Sequence, residues 1–304
     1  MSHRIKLIFN PHADRGRAWN YASALQSIVE RHGGASWSAT EYPTHATELA
    51  AQAAREGFDI VTAVGGDGTV HEVVNGLMPI PEADRPLFAA VPIGSGNDFC
   101  SNNGIAVDRE EAMHRVFDGE TKTIDMGVLV DNTGHTEYFD NTVGIQFGAF
   151  ATLHSHKITR LQGFMMYLWA VIRTIILNHD APRMTITTDH ETIEQEVQYL
   201  VLCNGPREGG GFFVAPEAVP DDGVLDYALI RRVSRLMMFR IVPEVMKGTH
   251  GKFKQVQMGR FHELKLTSER PMAIHTDGEI LAGFTSEITS FEAKILPGAL
   301  KIVY

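Results

Sequence analysis

With 304 residues the chain is long enough for two domains, and its 44% hydrophobic and 21% charged residues are typical of a folded globular protein. A formal net charge of −10 argues against a general nucleic-acid-binding protein, because such proteins carry a basic surface that displaces counterions from phosphates. The two cysteines, Cys100 and Cys203, form no CxxC pair, which argues against a disulfide framework or a zinc cluster and fits a reducing cytoplasm.

The hydrophobic segments do not predict membrane insertion. Met1 is followed closely by Arg4 and Lys6, and no signal-peptide core is recognisable. The longest apolar stretch, Phe164–Leu177, is too short to span a bilayer and contains Arg173. It could line an entrance for a lipid, although a buried helix is the commoner explanation. We therefore expect a cytoplasmic protein without a transmembrane helix.

The first third of the sequence alternates strands and helices. We predict strands at Ile5–Phe9, Ile60–Val64 and Leu87–Ile93, and helices at Trp19–Arg31, about Thr47–Arg55 and Val70–Leu77. This alternation of strands and helices is typical of a mostly parallel sheet with helices on both faces. We expect residues 1–130 to form an α/β domain with a Rossmann-like, NAD-kinase-like parallel sheet.

After about residue 120 the sequence changes to short segments of alternating apolar and polar residues, with turn residues between the segments. We predict strands at Met184–Thr188, Val197–Cys203, Leu225–Ile230 and Leu264–Thr267, and helices at about Gln162–Leu177 and Leu236–Met246. This pattern is typical of an antiparallel β-sandwich or barrel, here residues 131–291. Further short strands are predicted at Ser286–Phe291, Ala293–Leu296 and Lys301–Tyr304, and the sequence leaves open whether residues 292–304 return to the first domain.

The strongest local motif lies at residues 60–77. An apolar strand leads into Gly65-Gly66-Asp67-Gly68-Thr69, and an amphipathic helix follows. Glycines let the backbone approach a phosphate closely, and a helix N-terminus presents free N–H groups with a partial positive charge. The motif favours a phosphate-binding loop in which Asp67 engages a metal or a hydroxyl. A tight strand–helix turn with Asp67 as its cap is the alternative.

A second loop follows the strand that ends at Ile93. The run Gly94-Ser95-Gly96-Asn97-Asp98 again lies at the carboxyl end of a strand, where ligands bind in open α/β sheets. Alone it would be an ordinary polar turn, but together with the first loop it indicates one ligand-binding crevice. The GxxxxGK[ST] loop is absent, and neither HExxH nor GxSxG is completed, which argues against the commoner phosphate loops and against hydrolases.

These motifs and several later ones occur in the order seen in the diacylglycerol-kinase catalytic family, which the chain resembles over nearly its whole length. The shared elements are Asn10-Pro11, GGDGT at 65–69, residues 94–98, Ile124–Gly127, Asn204–Pro206, Gly209–Gly211, Pro216–Ala218, residues 221–226 and Asp277–Glu279. GGDGT is shared with NAD kinases and sphingosine kinases, whereas the later elements resemble the bacterial lipid-kinase branch. The resemblance implies a nucleotide-binding catalytic domain at 1–130 and a lipid-binding β-sandwich at 131–291.

The resemblance also implies that ATP binds between the two domains. The positions that correspond to the nucleotide site are Asn10, Pro11, Thr40, Gly65, Gly66, Asp67, Gly68, Thr69, Val70, Ser95 and Asn97. Many relatives have Gly-Thr-Ala-Asn-Asp where this chain has Gly-Ser-Gly-Asn-Asp. Ser95 keeps the hydroxyl, so phosphate contact is still expected, and the second glycine should only loosen the turn.

A catalytic Mg²⁺ is implied by three carboxylates. Asp67, Asp98 and Asp125 resemble the acidic network that holds this ion in the family, directly or through water. Spaced carboxylates suit a hard cation that keeps several of its waters. Each of the three could instead be a cap or turn residue.

A structural Mg²⁺ is implied by the segment that precedes Leu225. In the family a carboxylate, here Asp222, and two backbone carbonyls, here those of Val219 and Val224, bind this ion. A hairpin turn at Asp221-Asp222-Gly223 is an alternative that is compatible with metal binding, because Asp-Gly is a strong turn signal.

The catalytic base is implied by Asp277-Gly278-Glu279, which we place in a turn. The resemblance implies that Glu279 accepts the proton of the lipid hydroxyl, that Asp277 helps to position it, and that Asp67 acts through Mg²⁺–ATP. In phosphoryl transfer the protein mainly positions groups and stabilises charge, and a base adds a modest part. An exposed turn without a catalytic role is the alternative.

We therefore expect an ATP-dependent and Mg²⁺-dependent lipid kinase that acts on a lipid alcohol at a membrane surface, most simply diacylglycerol. Its partners would include no nucleic acid, and a homodimer is left open. Two other functions compete with this one. The first is phosphorylation of a soluble acceptor, as in NAD kinase, and the second is a non-catalytic nucleotide-binding regulator. The late DDGxLD and DGE elements argue against the first, and retention of Asp67, Asp125 and Glu279 argues against the second.

Overall fold

The computed structural model describes residues 3–158, 160–161 and 163–304, and the chain divides into two units. The first unit comprises Met1–Asp125 and Gly298–Tyr304, and the second comprises Met126–Pro297. An α/β first unit and a β-sandwich second unit agree with the fold class expected from the sequence.

The first unit is built on parallel strands that follow the order β4-β3-β1-β2. The strands are β1 Ile5–Phe9, β2 Ser36–Ala39, β3 Ile60–Gly65 and β4 Leu87–Pro92, and the helices are α1 Ala13–Gly16, α2 Trp19–Arg31, α3 His45–Arg55, α4 Asp67–Leu77, α5 Asp98–Asn102 and α6 Arg109–Asp118. Leu25 of α2 and Met113 of α6 pack against Leu7 and Val64 in one core. Ile8 and Ala63, which point to the opposite face, are also buried. Burial on both faces explains why these strands read as continuous apolar runs.

The helix after the glycine motif begins earlier than the predicted Val70. Gly66 is extended, with φ −97° and ψ −173°, and acts as the N-cap of α4. The N–H groups of Thr69 and Val70 both donate to the Gly66 carbonyl. Asp67, Gly68 and Thr69 therefore lie in the first turn of α4, because these backbone bonds outweigh the low helix propensity of glycine.

The second unit is mainly antiparallel. Its strands are the later part of β5 (Thr121–Asp131), β6 Thr136–Phe139, β7 Thr142–Gln146, β8 Arg183–Thr188, β9 Thr192–Cys203, β10 Leu225–Arg231, β11 Val256–Phe261, β12 Glu263–Ser268, β13 Ile274–Thr276, β14 Glu279–Ala282 and the start of β15 (Ser290–Val303). Side chains from several of these strands, including Ile145, Leu200, Tyr227, Leu266 and Phe291, fill one core between the sheet faces. The helices are α7 Phe147–Ser155, α8 Gly163–Leu177 and α9 Arg235–Met246. The predicted first residue of α8, Gln162, lies outside the described residues.

The end of the chain is one long strand rather than the three short strands predicted. In β15 the residues from Ser290 to Lys294 pair with β12, and Ile302 pairs with Phe88 of β4. Gly298, with φ +60°, lies inside this strand. Local sequence suggests a break at Pro297-Gly298, but pairing on both sides of it keeps the strand continuous.

The helices of the described segments include none that is both long and apolar enough to cross a membrane.

Candidate active site

In the first unit the predicted nucleotide residues follow adjacent strands of one parallel sheet. Asn10 follows β1, Thr40 follows β2, Gly66 follows β3 and Gly94 comes shortly after β4. Because the carboxyl ends of parallel strands share one edge, the structure brings these positions together. Thr40 is buried, with its N–H bonded to the Phe9 carbonyl, whereas Ser95 is exposed.

Asn10 connects the first strand to the glycine motif. Its side-chain amide donates to Thr69 Oγ1 at 2.9 Å, and its backbone N–H donates to the Val64 carbonyl at 3.0 Å. Its Oδ1 accepts from the N–H of His12, which shapes the turn that includes Pro11. The asparagine thus fixes the hydroxyl of Thr69 in the first turn of α4, next to the N-terminal dipole of that helix.

The two glycine loops touch through their backbones. A Cβ on Gly94 would lie 2.7 Å from the Gly66 Cα, a distance that side-chain carbons do not tolerate. The Ile93 N–H donates to the Gly65 carbonyl at 2.7 Å, which holds the loops in register. Asn97 shapes the second loop, because its side chain accepts from the Gly94 N–H and donates to the Gly94 carbonyl. Backbone atoms are therefore the surface that this edge offers a ligand, and such a surface suits a phosphate.

Two of the predicted metal carboxylates approach one small space. Asp67 Oδ2 and Asp98 Oδ2 lie 2.8 Å and 3.8 Å from the point that a Cβ on Gly96 would occupy. Asp67 Oδ1 also accepts from the Phe99 N–H at 3.2 Å, and Asp98 is buried. Oxygen ligands beside a glycine-lined space fit a hydrated Mg²⁺, so this donor set is suitable for the ion.

The third predicted carboxylate has a structural partner of its own. Asp125 is buried on β5, and its Oδ1 accepts from the Gly298 N–H at 2.7 Å. This bond attaches the end of the chain to β5 within the first unit. A contact of Asp125 with metal stays a prediction.

In the second unit the DGE element forms a two-residue hairpin turn. Asp277 and Gly278 both have positive φ, 51° and 86°, between β13 and β14. That is the turn geometry for which Asp-Gly is favoured, because right-handed strand twist requires it. Glu279, the first residue of β14, is exposed at the start of the return strand. The structure therefore places the predicted base on a rigid hairpin rather than on a loose loop.

Asp277 anchors this hairpin. Its Oδ1 accepts from the N–H groups of Asn141 and Thr142, both at 2.9 Å, and its Oδ2 accepts from the N–H of Asp140 at 3.1 Å. The three donor residues are buried; two of them directly precede β7, and Thr142 is its first residue. Bonds to an ionised acceptor are strong, so Asp277 positions the turn that carries Glu279.

A buried network around Glu208 was missed by sequence reasoning. Tyr167 and Tyr199 donate their hydroxyls to Glu208 Oε1 at 2.8 and 3.1 Å, Thr142 Oγ1 donates to Oε2 at 3.3 Å, and His275 Nε2 lies 3.6 Å from Oε2. Burial raises the pKa of Tyr199 well above its usual value, and the carboxylate adds to this rise. Burial lowers the pKa of His275, although Glu208 and Asp277 oppose the change, so the imidazole is neutral at pH 7. The only sequence signal was the position of Glu208 between Asn204–Pro206 and Gly209–Gly211.

A small apolar cavity of about 30 Å³ lies next to this network. Phe147 and Gly148 of α7, Val171 of α8 and Ile241 of α9 contribute to its lining, together with Glu208. Its lining is almost entirely apolar and therefore suits an apolar group better than a charged one.

The predicted structural metal loop contains a turn. Gly223 has φ +81°, and Asp222 Oδ1 accepts from the Val224 N–H at 3.3 Å, as expected for a turn. Asp226 is buried, and among the described residues its Oδ2 has no hydrogen-bond partner. Burial raises the pKa of Asp226 to about 6, Arg260 opposes the rise, and Asp222 adds to it. The Arg260 guanidinium lies 3.7 Å from Asp222 Oδ2 and 3.4 Å from Asp226 Oδ1, so a cation already faces both carboxylates. Binding of Mg²⁺ by Asp222 with the Val219 and Val224 carbonyls stays a prediction.

The first unit and the second unit thus carry the fold and motifs of a two-domain kinase. Residues 4–129 match the diacylglycerol kinase catalytic domain, and residues 141–304 match the YegS C-terminal NAD kinase beta sandwich-like domain. The chain belongs to this family of bacterial diacylglycerol kinases and YegS-like lipid kinases.

Curated relatives agree in length and description. The chain is 26% identical to a diacylglycerol kinase of Mycobacterium tuberculosis over 303 residues, covering 99% of this chain and 94% of the relative. It is 26% identical to a diacylglycerol kinase of Bacillus subtilis over 280 residues, covering 91% and 89%. A solved structure of a diacylglycerol kinase from Bacillus anthracis superposes with a TM-score of 0.73 at 22% identity, covering 99% of this chain and 97% of that one, and supports the fold.

Proposed function

We propose that this protein transfers the γ-phosphoryl group of ATP to the hydroxyl of a lipid, and that the lipid is diacylglycerol, which becomes phosphatidic acid. The observation that carries the proposal is the pairing of two kinds of site in one chain. The first unit has a glycine-lined strand edge with Asp67 and Asp98 beside it, and the second unit has an apolar cavity next to a hairpin that presents Glu279.

The first unit binds the nucleotide in this proposal. The N-terminus of α4 and the touching backbones at Gly66 and Gly94 accept the phosphates, and Asn10 orients the Thr69 hydroxyl beside them. Asp67 and Asp98 hold Mg²⁺, either directly or through its waters. When bound, this ion neutralises charge on the phosphate oxygens.

The second unit supplies the acceptor side. Glu279 takes the proton of the lipid hydroxyl as the oxygen forms its bond to phosphorus and the bond to ADP breaks. Asp277 positions Glu279, because its carboxylate is occupied by three backbone N–H groups. An acyl chain of the lipid packs against the apolar lining that α7, α8 and α9 give this small cavity.

Transfer of labelled phosphate tests the proposal. Purified protein, Mg²⁺ and γ-labelled ATP are incubated with a total lipid extract, with diacylglycerol and, separately, with NAD, and the labelled products are identified. We expect label in phosphatidic acid. Label in another lipid would retain the lipid kinase but change its substrate, and label only in NADP would overturn the lipid acceptor. The cavity argues against NAD, because NAD is charged and polar over most of its surface.

A further inference from the structure

Asp189, His190 and His262 form a cluster in the second unit that no step of the proposed reaction uses. One donor atom from each of the three side chains lies within 4.8 Å of the other two. In the part of the chain that the structure describes, this is the one group of three or more His, Cys, Asp or Glu side chains whose donor atoms meet in this way. We call these three residues the Asp189 cluster.

Strand pairing brings the cluster together. Strand β8 is antiparallel to β12, with Thr188 opposite Leu264, so the same register continued past the strand ends places His190 beside His262. The turn from β8 to β9 is also fixed, because Thr188 Oγ1 accepts from the N–H groups of His190 and Glu191 at 3.2 and 3.1 Å. The three side chains therefore extend from backbone that is held in place, although they come from positions about seventy residues apart.

The Asp189 carboxylate is oriented by its neighbours. Its Oδ1 accepts from the backbone N–H of His262 at 3.0 Å, and the His262 carbonyl in turn accepts from the Ile295 N–H at 3.0 Å. Burial alone would raise the pKa of Asp189, but hydrogen bonds from His262 hold that pKa at about 2. The carboxylate is therefore ionised at pH 7, and its second oxygen is directed towards the two imidazoles.

The distances within the cluster suit a shared metal ion. Asp189 Oδ2 lies 2.8 Å from His262 Nδ1 and 3.3 Å from His190 Nε2. Ligand atoms about 2.0–2.1 Å from one metal ion are roughly 2.9–3.4 Å apart in octahedral and tetrahedral geometry, so small side-chain rotations suffice. A simple ion pair with Asp189 accounts for one imidazole, whereas two neutral imidazoles beside the same carboxylate oxygen direct lone pairs at one another and call for a cation between them.

We propose that the Asp189 cluster binds one transition-metal ion of the Zn²⁺ class through Asp189 Oδ2, His190 Nε2 and His262 Nδ1. Imidazole ligands select Zn²⁺, Ni²⁺ or Cu²⁺ over Mg²⁺, which prefers oxygen. The side chains of His190 and His262 are 63 and 56% exposed, so water completes the coordination. The bound ion joins the β8–β9 turn to the β11–β12 junction and thereby stabilises the second unit. This site needs no cysteine and is independent of the proposed lipid-kinase function.

Calorimetric titration of the full chain, without a histidine tag, with Zn²⁺ tests the site. Excess Mg²⁺ is present throughout to occupy sites made only of oxygen ligands. We expect one Zn²⁺ to bind per chain at pH 7, and binding to weaken at about pH 5.5, because imidazole must lose its proton to bind a metal. His190→Ala and His262→Gln should each lower the affinity about 10–100-fold or more, because each removes a ligand. His135→Ala is the matched control, since His135 is exposed and its Nε2 lies 2.7 Å from a carboxylate oxygen of Glu137.

Thermal melting gives a second readout that does not depend on activity. Zn²⁺ should raise the melting temperature of wild type and of His135→Ala, a chelator should reverse this rise, and His190→Ala should not show it. If His262→Gln fails to fold, His190→Ala decides the test, because its exposed side chain leaves the turn's backbone bonds intact. The metal site is overturned if wild type binds no Zn²⁺ in excess Mg²⁺, if His190→Ala binds it as tightly as wild type, or if His135→Ala weakens binding equally. Zn²⁺ binding by a chain that phosphorylates no lipid would still confirm it.

Discussion

Replacing Asp277 by Asn tests whether this residue is mainly an anchor. Asparagine tolerates the positive φ of 51° at this position, so backbone strain does not confound the result. The amide oxygen can keep the bonds to Asn141 and Thr142, each weakened by about 1 kcal/mol, but the amide nitrogen would face the Asp140 N–H. Leaving that buried donor unpaired costs a further ~1–3 kcal/mol, so we expect a loss of about 3–5 kcal/mol.

Urea unfolding measures this loss, with Asp131→Asn as a matched control. Asp131 accepts from the Thr133 N–H and hydroxyl and from the His135 N–H, and all three bonds end on Oδ1. An amide oxygen can retain all three bonds, each weakened by about 1 kcal/mol, so the control should lose about 3 kcal/mol, at the low end of the loss expected for Asp277→Asn. A variant of Asp277 that unfolds like wild type but transfers no phosphate would refute the anchor role and give Asp277 a direct part in the chemistry.

The remaining predictions concern the metal sites and the buried histidines. Gly96→Ala should weaken Mg²⁺–ATP binding about tenfold or more, because the added Cβ displaces the Asp67 carboxylate. Gly283→Ala is the control and should bind Mg²⁺–ATP normally, because its Cβ meets only contacts at 3.9 Å. Equal affinities of the two variants by calorimetry would contradict this prediction. With ATP absent, saturating Mg²⁺ should stabilise wild type and the control Asp221→Ala by about 2–3 kcal/mol, but it should not stabilise Asp222→Ala. Equal stabilisation of all three proteins would mean that the loop around Asp222 is only a turn. Burial lowers the pKa of His275 and His250 below 6.5 in the folded chain. The unfolded chain therefore binds more protons at acidic pH, and the stability of the folded chain should fall as the pH drops below 6.5. Melting at about pH 7.5 and about pH 5.5 should show this loss, and a chain equally stable at both would contradict the buried, neutral state.

Local sequence predicted those parts of the fold that local forces determine. The apolar run at Ile5–Phe9 and the amphipathic helix Trp19–Arg31 have the bounds expected, and Asp277-Gly278 forms the turn that this pair favours. The start of α4 was placed too late, because hydrogen bonds to the Gly66 carbonyl decide it rather than residue propensity. The last strand was divided, because its pairing with the distant β12 and β4 is not visible in its own sequence.

The candidate site was predictable where glycines and carboxylates cluster in sequence, as at Gly65–Thr69 and Gly94–Asp98. Glu208 was not predictable, because its partners come from separate parts of the chain: Tyr167 is 41 residues away, and His275 belongs to another hairpin. Such buried polar groups are determined by contacts between distant parts of the chain, so the helical or strand periodicity of the local sequence does not predict them.

The most direct test of the central claim is steady-state phosphoryl transfer to dispersed diacylglycerol by wild type and Glu279→Gln, with ATP binding measured in parallel. Glutamine keeps the shape of the side chain but removes its basicity, so kcat should fall roughly 10²–10⁴-fold while ATP affinity stays nearly unchanged. A wild-type protein that labels no lipid would contradict the lipid-kinase account, and a Glu279→Gln protein with near wild-type kcat would remove Glu279 from the mechanism.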